Sequence, residues 1–152
     1  MAIKTRYLHT NLTVRDLDRQ VAFYRDVLGF TVSVPEKTYG GDRVSRLTGV
    51  KDASMRVVFL RFPGCGEDGP QLELICYEQQ VEGQPGVANR GGFRHIALAV
   101  DNSAEAHAAV LAAGGGSVGE VVSQQLKDGR VAANVYATDP EGNIIELKQF
   151  PA

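Results

Sequence analysis

The sequence is poor in the residues that give the simplest functional readings. It has no tryptophan and only two cysteines among 152 residues. Cys65 lies in the turn-like "PGCGEDG" and Cys76 in the apolar "LELICYE", so no C-x-x-C metal or redox pair exists. Cys65 reads as a solvated thiol and Cys76 as a small core residue. Charge is equally unhelpful: 16 basic and 18 acidic residues leave a formal charge of −2, with no run of one sign. That balance excludes an electrostatic case for nucleic acid or an anionic membrane as partner. No stretch approaches the roughly 18 consecutive apolar residues of a membrane span. Nor does "MAIKTRYLH" resemble a secretion signal, so a cytoplasmic location is expected.

What is present is an ordinary core and a duplication. With 43% hydrophobic and 22% charged residues, the chain reads as one domain over 1–152. "LHTNLTVRDLDRQVAFYRDVLGF" (8–30) lies over "RHIALAVDNSAEAHAAVLAAGGG" (94–116) at a constant offset of 86 residues, matching His9 to His95, Val14 to Val100, Asp16 to Asn102 and Gly29 to Gly115. Each copy has a period-2 strand, an Asx residue able to cap a helix, and about twelve helical residues ending at glycine. Glu105, three residues after Asn102, adds a capping-box spacing. Further strands are expected near 30–34, 56–62, 117–123 and 131–138, with turns at "TYGGD", "PGCGEDGP" and "DPEGN". "QLELICY" (71–77) and "NIIELKQF" (143–150) close the two halves, each with a glutamate between aliphatics.

The expected architecture is α+β: two βαβββ modules forming a cup-shaped mixed sheet. Module one covers 5–77, a polar, glycine-rich linker 78–93, and module two 94–150. Segment 35–55 reads as a long, turn-rich surface loop able to cover the cup.

Strand parity singles out four residues. Side chains alternate faces, so Leu8, Leu12 and Val14 point to the core while His9, Asn11 and Thr13 point away. Ile96, Leu98 and Val100 repeat the core face and leave His95 opposite. Glu73 opposes Leu72 and Leu74, and Glu146 opposes Ile145 and Leu147. Taken singly, each reads equally as an exposed or hydrogen-bonded side chain. Their matched placement in both halves points instead to a divalent ion, because unpaired charges converging on one cavity cost several kcal/mol. Imidazole nitrogen with carboxylate oxygen suits Zn, Ni, Co, Fe or Mn, and six-coordination would leave two positions for water or substrate. His107 has no counterpart in the first half and is assigned to a helix surface.

The pattern resembles the vicinal oxygen chelate superfamily, which includes glyoxalase I, methylmalonyl-CoA epimerase, extradiol dioxygenases and fosfomycin and bleomycin resistance proteins. It covers about residues 6–149, and its most specific segments are the two strand–helix units, "LELICY" and "YATDPEGNIIEL". The resemblance implies paired βαβββ modules around a metal, a homodimer, and His9, Glu73, His95 and Glu146 as ligands. It further implies a glyoxalase-like lyase or isomerase of a small oxygenated substrate, working through a metal-stabilised enediolate, with Glu146 as the base. Asn11, Thr13 and Tyr77 would line the cup from the first half. Asn134, Tyr136 and Lys148, with Ala97 and Ala99, would line it from the second.

Departures are informative too. The family's bacterial glutathione site has arginine four residues after the first histidine and asparagine four after the first glutamate; here Thr13 and Tyr77 stand there. The second base of the epimerases would fall in "MRVVFLRF", near the apolar Phe59. Alternative functions implied by the resemblance are a drug- or natural-product-binding resistance protein and an extradiol-type dioxygenase.

Overall fold

Asp16 and Asn102 open the two long helices. The Asp16 carboxylate accepts from the Arg19 amide at 3.0 Å. The Asn102 side-chain oxygen accepts from the amides of Ala104 and Glu105 at 2.9 and 3.2 Å. First-turn N–H groups that lack a helical partner are thereby satisfied. Glu105 answers the Asn102 side-chain amide at 3.0 Å, where a strict capping box would use the backbone N–H.

These elements belong to a computed structural model that describes residues 3–83 and 86–151. Gln84 and Pro85, inside the expected linker, and Met1, Ala2 and Ala152, at the ends of the expected domain, lie outside the described residues. The chain divides into two units, Met1–Glu82 and Gly83–Ala152. Between 78 and 93 the described residues form neither helix nor strand.

In the first unit β1 (His9–Thr13) leads into α1 (Leu17–Asp26), β2 (Thr31–Gly40), α2 (Asp42–Thr48), β3 (Ser54–Arg61) and β4 (Gln71–Tyr77). The sheet order is β1-β4-β3-β2, with β1 parallel to β4 and the remaining pairs antiparallel. In the second unit β5 (His95–Ala99) is followed by α3 (Ser103–Ala112), β6 (Gly116–Ser117), β7 (Val122–Gln125), β8 (Val131–Thr138) and β9 (Ile144–Gln149). Its order, β5-β9-β8-β6 with β7 also on β8, repeats the parallel pairing of first and last strands. The protein is thus α+β, with two βαβββ-like modules forming mixed sheets. Among the described residues no helix is long and apolar enough to cross a membrane.

Each long helix covers one face of its sheet. Leu17, Phe23 and Tyr24 of α1 are buried with Leu60, Leu72 and Leu74. Tyr24, Phe30 and Phe62 continue that core, with ring centroids 5.3 and 4.9 Å apart. In the second unit the core is smaller-grained: Val110 of α3 joins Leu98, Val135, Ile145 and Leu147. The buried Ser103 hydroxyl lies 3.0 and 3.2 Å from the carbonyls of Ala133 and Leu147, tying the start of α3 to β8 and β9.

Four local expectations need correction. Leu8 is not core; it precedes β1 and is 62% exposed. The first-unit edge strand runs to Gly40, and the segment expected as a loop over 35–55 holds the rest of β2, helix α2 and the start of β3. The seven residues of α2 are too few for a periodicity signal, and glycines bracket them: Gly41 at the N-cap and Gly49 at the C-cap, with φ of +83° and +72°. The strand expected at 117–123 is two short pieces, because the amides of Val118 and Gly119 both turn to the Tyr136 carbonyl. Cys76 is only half-buried, its thiol donating to the Arg15 carbonyl at 3.3 Å.

Candidate metal and substrate site

The parallel pairing of first and last strands sets histidine beside glutamate twice. Registers Asn11↔Glu73 and Ala97↔Glu146 place each histidine one diagonal from its glutamate on the face away from the helix. His9 Nε2 lies 3.4 Å from Glu73 Oε2. His95 Nε2 lies 3.3 Å from Glu146 Oε2. Side-chain exposures of 35% and 17% in the first pair, and 32% and 14% in the second, describe imidazoles reachable by solvent over half-buried carboxylates.

An aromatic ring steadies each imidazole. Phe59, paired with Glu73, meets His9 edge-on with centroids 5.8 Å apart. Tyr136, paired with Glu146, packs tilted on His95 at 5.0 Å. The repeat therefore extends to a third residue per module, one strand beyond the glutamate. Phe59 occupies the place considered for a second base, and it carries no titratable group.

The donors suit a borderline divalent ion. Two ligands each about 2.0–2.2 Å from one ion stand about 3.0–3.5 Å apart, and both pairs meet that spacing as they are. Each pair holds two of the four residues expected as ligands. His9 with Glu73, and His95 with Glu146, are brought together within their own units; among the described residues no group of three or more His, Cys, Asp or Glu is gathered to hold an ion.

Beyond the pairs the two faces differ. In the first unit the Asn11 amide donates to the Glu73 carbonyl at 3.2 Å, and the Thr13 hydroxyl donates to Asn11 Oδ1 at 3.3 Å, so both brace the β1–β4 edge. Their counterparts are Ala97 and Ala99. In the second unit the Asn134 amide donates to Glu146 Oε1 at 3.2 Å. Lys148, opposite Asn134 in the ladder, holds its ammonium 5.3 Å from the Phe150 ring centre. Tyr77 ends β4 on the Glu73 side of the alternation, half-buried.

Strand alternation counted back from Glu73 reaches Gln71, which the sequence analysis did not single out, whereas Arg61 on β3 joins it only through strand pairing. They form one cross-strand row with His9. Arg61 Nε is buried and has no hydrogen-bond partner among the described residues. His107 of α3 is not simply exposed: its Nε2 lies 3.0 Å from the Ser117 hydroxyl.

Residues 6–147 match the Glyoxalase/Bleomycin resistance protein/Dioxygenase superfamily. A lactoylglutathione lyase of Salmonella typhimurium is 33% identical over 147 residues, covering 93% of this chain and 90% of that protein. One from Haemophilus influenzae is 31% identical over 140 residues, covering 92% and 89%. Among solved structures, a glyoxalase family protein from Bacillus cereus superposes with a TM-score of 0.82 at 18% identity, covering 97% of this chain and 95% of that one. The trypanothione-dependent glyoxalase I of Leishmania major superposes at 0.61 with 23% identity, covering 96% and 87%. The structural likenesses speak for the fold alone.

Proposed function

The chain belongs to the Glyoxalase/Bleomycin resistance protein/Dioxygenase superfamily, and from that premise we propose a divalent-metal-dependent lyase or isomerase of glyoxalase type, acting on a small oxygenated substrate. The observation that carries this reading is the twofold occurrence of a histidine–glutamate pair, at 3.4 and 3.3 Å, on equivalent strands. Neither pair alone completes a catalytic site. His9, Glu73, His95 and Glu146 are proposed as one ligand set, supplied by one chain or shared between two copies in a homodimer. When bound, the ion polarises a carbonyl or hydroxyl oxygen of the substrate.

The protein's own part is proton movement. A carbon acid next to a carbonyl needs a base within hydrogen-bond reach, and Glu146 is assigned that role. The C–H bond breaks, an O–H bond forms on the carboxylate, and the electron pair passes to the carbonyl oxygen. Glu73, beside the apolar Phe59, serves as a fixed ligand. With Thr13 and Tyr77 in the positions of the glutathione contacts, the substrate's carrier group need not be the glutathione in the relatives' names.

The test is solvent-deuterium incorporation next to the carbonyl of lactoylglutathione, other 2-hydroxyacyl thioesters and small hydroxy-ketones, with each of the five ions added to chelator-treated protein. Incorporation that requires an ion and is lost in Glu146→Gln supports the proposal. Metal analysis of His95→Ala should show reduced occupancy; equal occupancy removes His95 as a ligand. Should chelator leave thermal stability unchanged while an apolar compound raises it strongly, the protein is a sequestering member of the superfamily instead.

A further inference from the structure

The two glutamates are not held alike, and the difference falls on one residue. Asn134 sits in β8 among strand formers, where asparagine is disfavoured unless its amide is used. A carboxylate can only accept hydrogen bonds, so the amide must turn its N–H toward Glu146, and it does so at 3.2 Å to Oε1. The opposite carboxylate oxygen, Oε2, is the one 3.3 Å from His95 Nε2. In the first unit the equivalent position, two residues before the aromatic and paired with the residue two after the glutamate, is Val57. Among the described residues the Glu73 carboxylate has the His9 contact and no amide donor.

We propose that Asn134 is a positioning residue for Glu146: it fixes Oε1 and leaves Oε2 as the oxygen that takes up the substrate proton. The inference rests on Glu146 being the base. A base that shifts off His95 to receive a proton must not lose its direction, and a hydrogen bond to its other oxygen supplies a pivot. Val57 cannot provide one, which assigns the proton transfer to the second module and leaves Glu73 to a ligand's role.

The experiment compares Asn134→Leu, which keeps bulk and removes the donor, and Asn134→Asp, which keeps shape and replaces the amide donor with a second carboxyl group, with the wild-type protein. In metal-free protein carrying 13C at glutamate Cδ, with the Glu146 signal identified by its loss in Glu146→Gln, both variants should move the Glu146 resonance and leave that of Glu73 in place. On the substrate found by the deuterium assay, Asn134→Leu should lower kcat by about tenfold to a hundredfold with KM within about twofold. An unmoved Glu146 resonance overturns the proposal. So does a parallel fall of kcat, 1/KM and thermal midpoint, which marks a residue needed only for folding. Exchange that survives Glu146→Gln sinks the assignment of the base itself, whatever the resonance does, so the two failures are separable.

Discussion

The first and second modules place the same histidine, glutamate and aromatic ring at the same points of the same sheet order, then surround them differently. Next to Glu73 the floor is apolar: Val57 and Ile75 are 3% and 8% exposed. Their counterparts beside Glu146 are Asn134 and Lys148. The cores differ too, aromatic under α1 and small aliphatic under α3. A duplicated backbone thus repeats the positions of chemistry while leaving each copy free to specialise, because packing on the helix side and polarity on the other side are set by alternate residues of one strand.

The largest expected separation of the modules is functional. Glu146→Gln should cut deuterium incorporation by about 10²- to 10⁴-fold, the range for loss of a general base. Glu73→Gln should weaken ion affinity yet retain exchange when the ion is in excess. Equal loss in both would make the two glutamates equivalent and break the comparison.

Stability should separate them next. Phe30→Ala in the first core should cost about 3–5 kcal/mol in urea unfolding, and Val110→Ala in the second about 2 kcal/mol, since the larger side chain leaves the larger cavity. Gln20 of α1 is fully buried, and among the described residues neither of its amide atoms has a hydrogen-bond partner; its counterpart in α3 is Ala106. Gln20→Met should therefore stabilise the protein by about 1–3 kcal/mol, read as a raised denaturation midpoint. An unchanged midpoint would mean that solvent already satisfies the amide.

Removing the second module's helix cap with Asn102→Ala should cost about 1 kcal/mol by the same measurement. The smallest effect belongs to the first module. Arg56 binds both oxygens of Glu36, at 2.8 and 2.7 Å, and Asp18 at 3.1 Å. Its hydrogen bonds hold the Glu36 carboxyl below the usual carboxylate range. A carboxyl depressed in the folded state contributes stability above its unfolded pKa and loses it as pH falls through the folded one. Wild type should therefore slightly exceed Glu36→Gln in thermal midpoint at neutral pH, with the gap closing in acid and shrinking in salt.

Much of this is legible in the sequence. Period-2 alternation identified Leu72, Leu74, Ile145 and Leu147 as core and set Glu73 and Glu146 opposite them, as their burial bears out. Asp16 and Asn102 announced the helix starts. Helix α2 escaped because seven residues give no reliable period, and Leu8 misled because alternation says which face a residue belongs to but not where the covering helix stops.

The sequence by itself determined the duplication, the alternation of faces and the identity of both histidine–glutamate pairs, since these depend on spacing along a strand of fixed geometry. The tertiary structure alone decided which atoms meet: Nε2 of each histidine on Oε2 of its glutamate, the ring of Phe59 or Tyr136 against each imidazole, and the Asn134 amide on Glu146 Oε1. Those contacts join residues 12 to 64 positions apart, and their register is fixed by strand pairing across the sheet, which spacing along the chain does not encode.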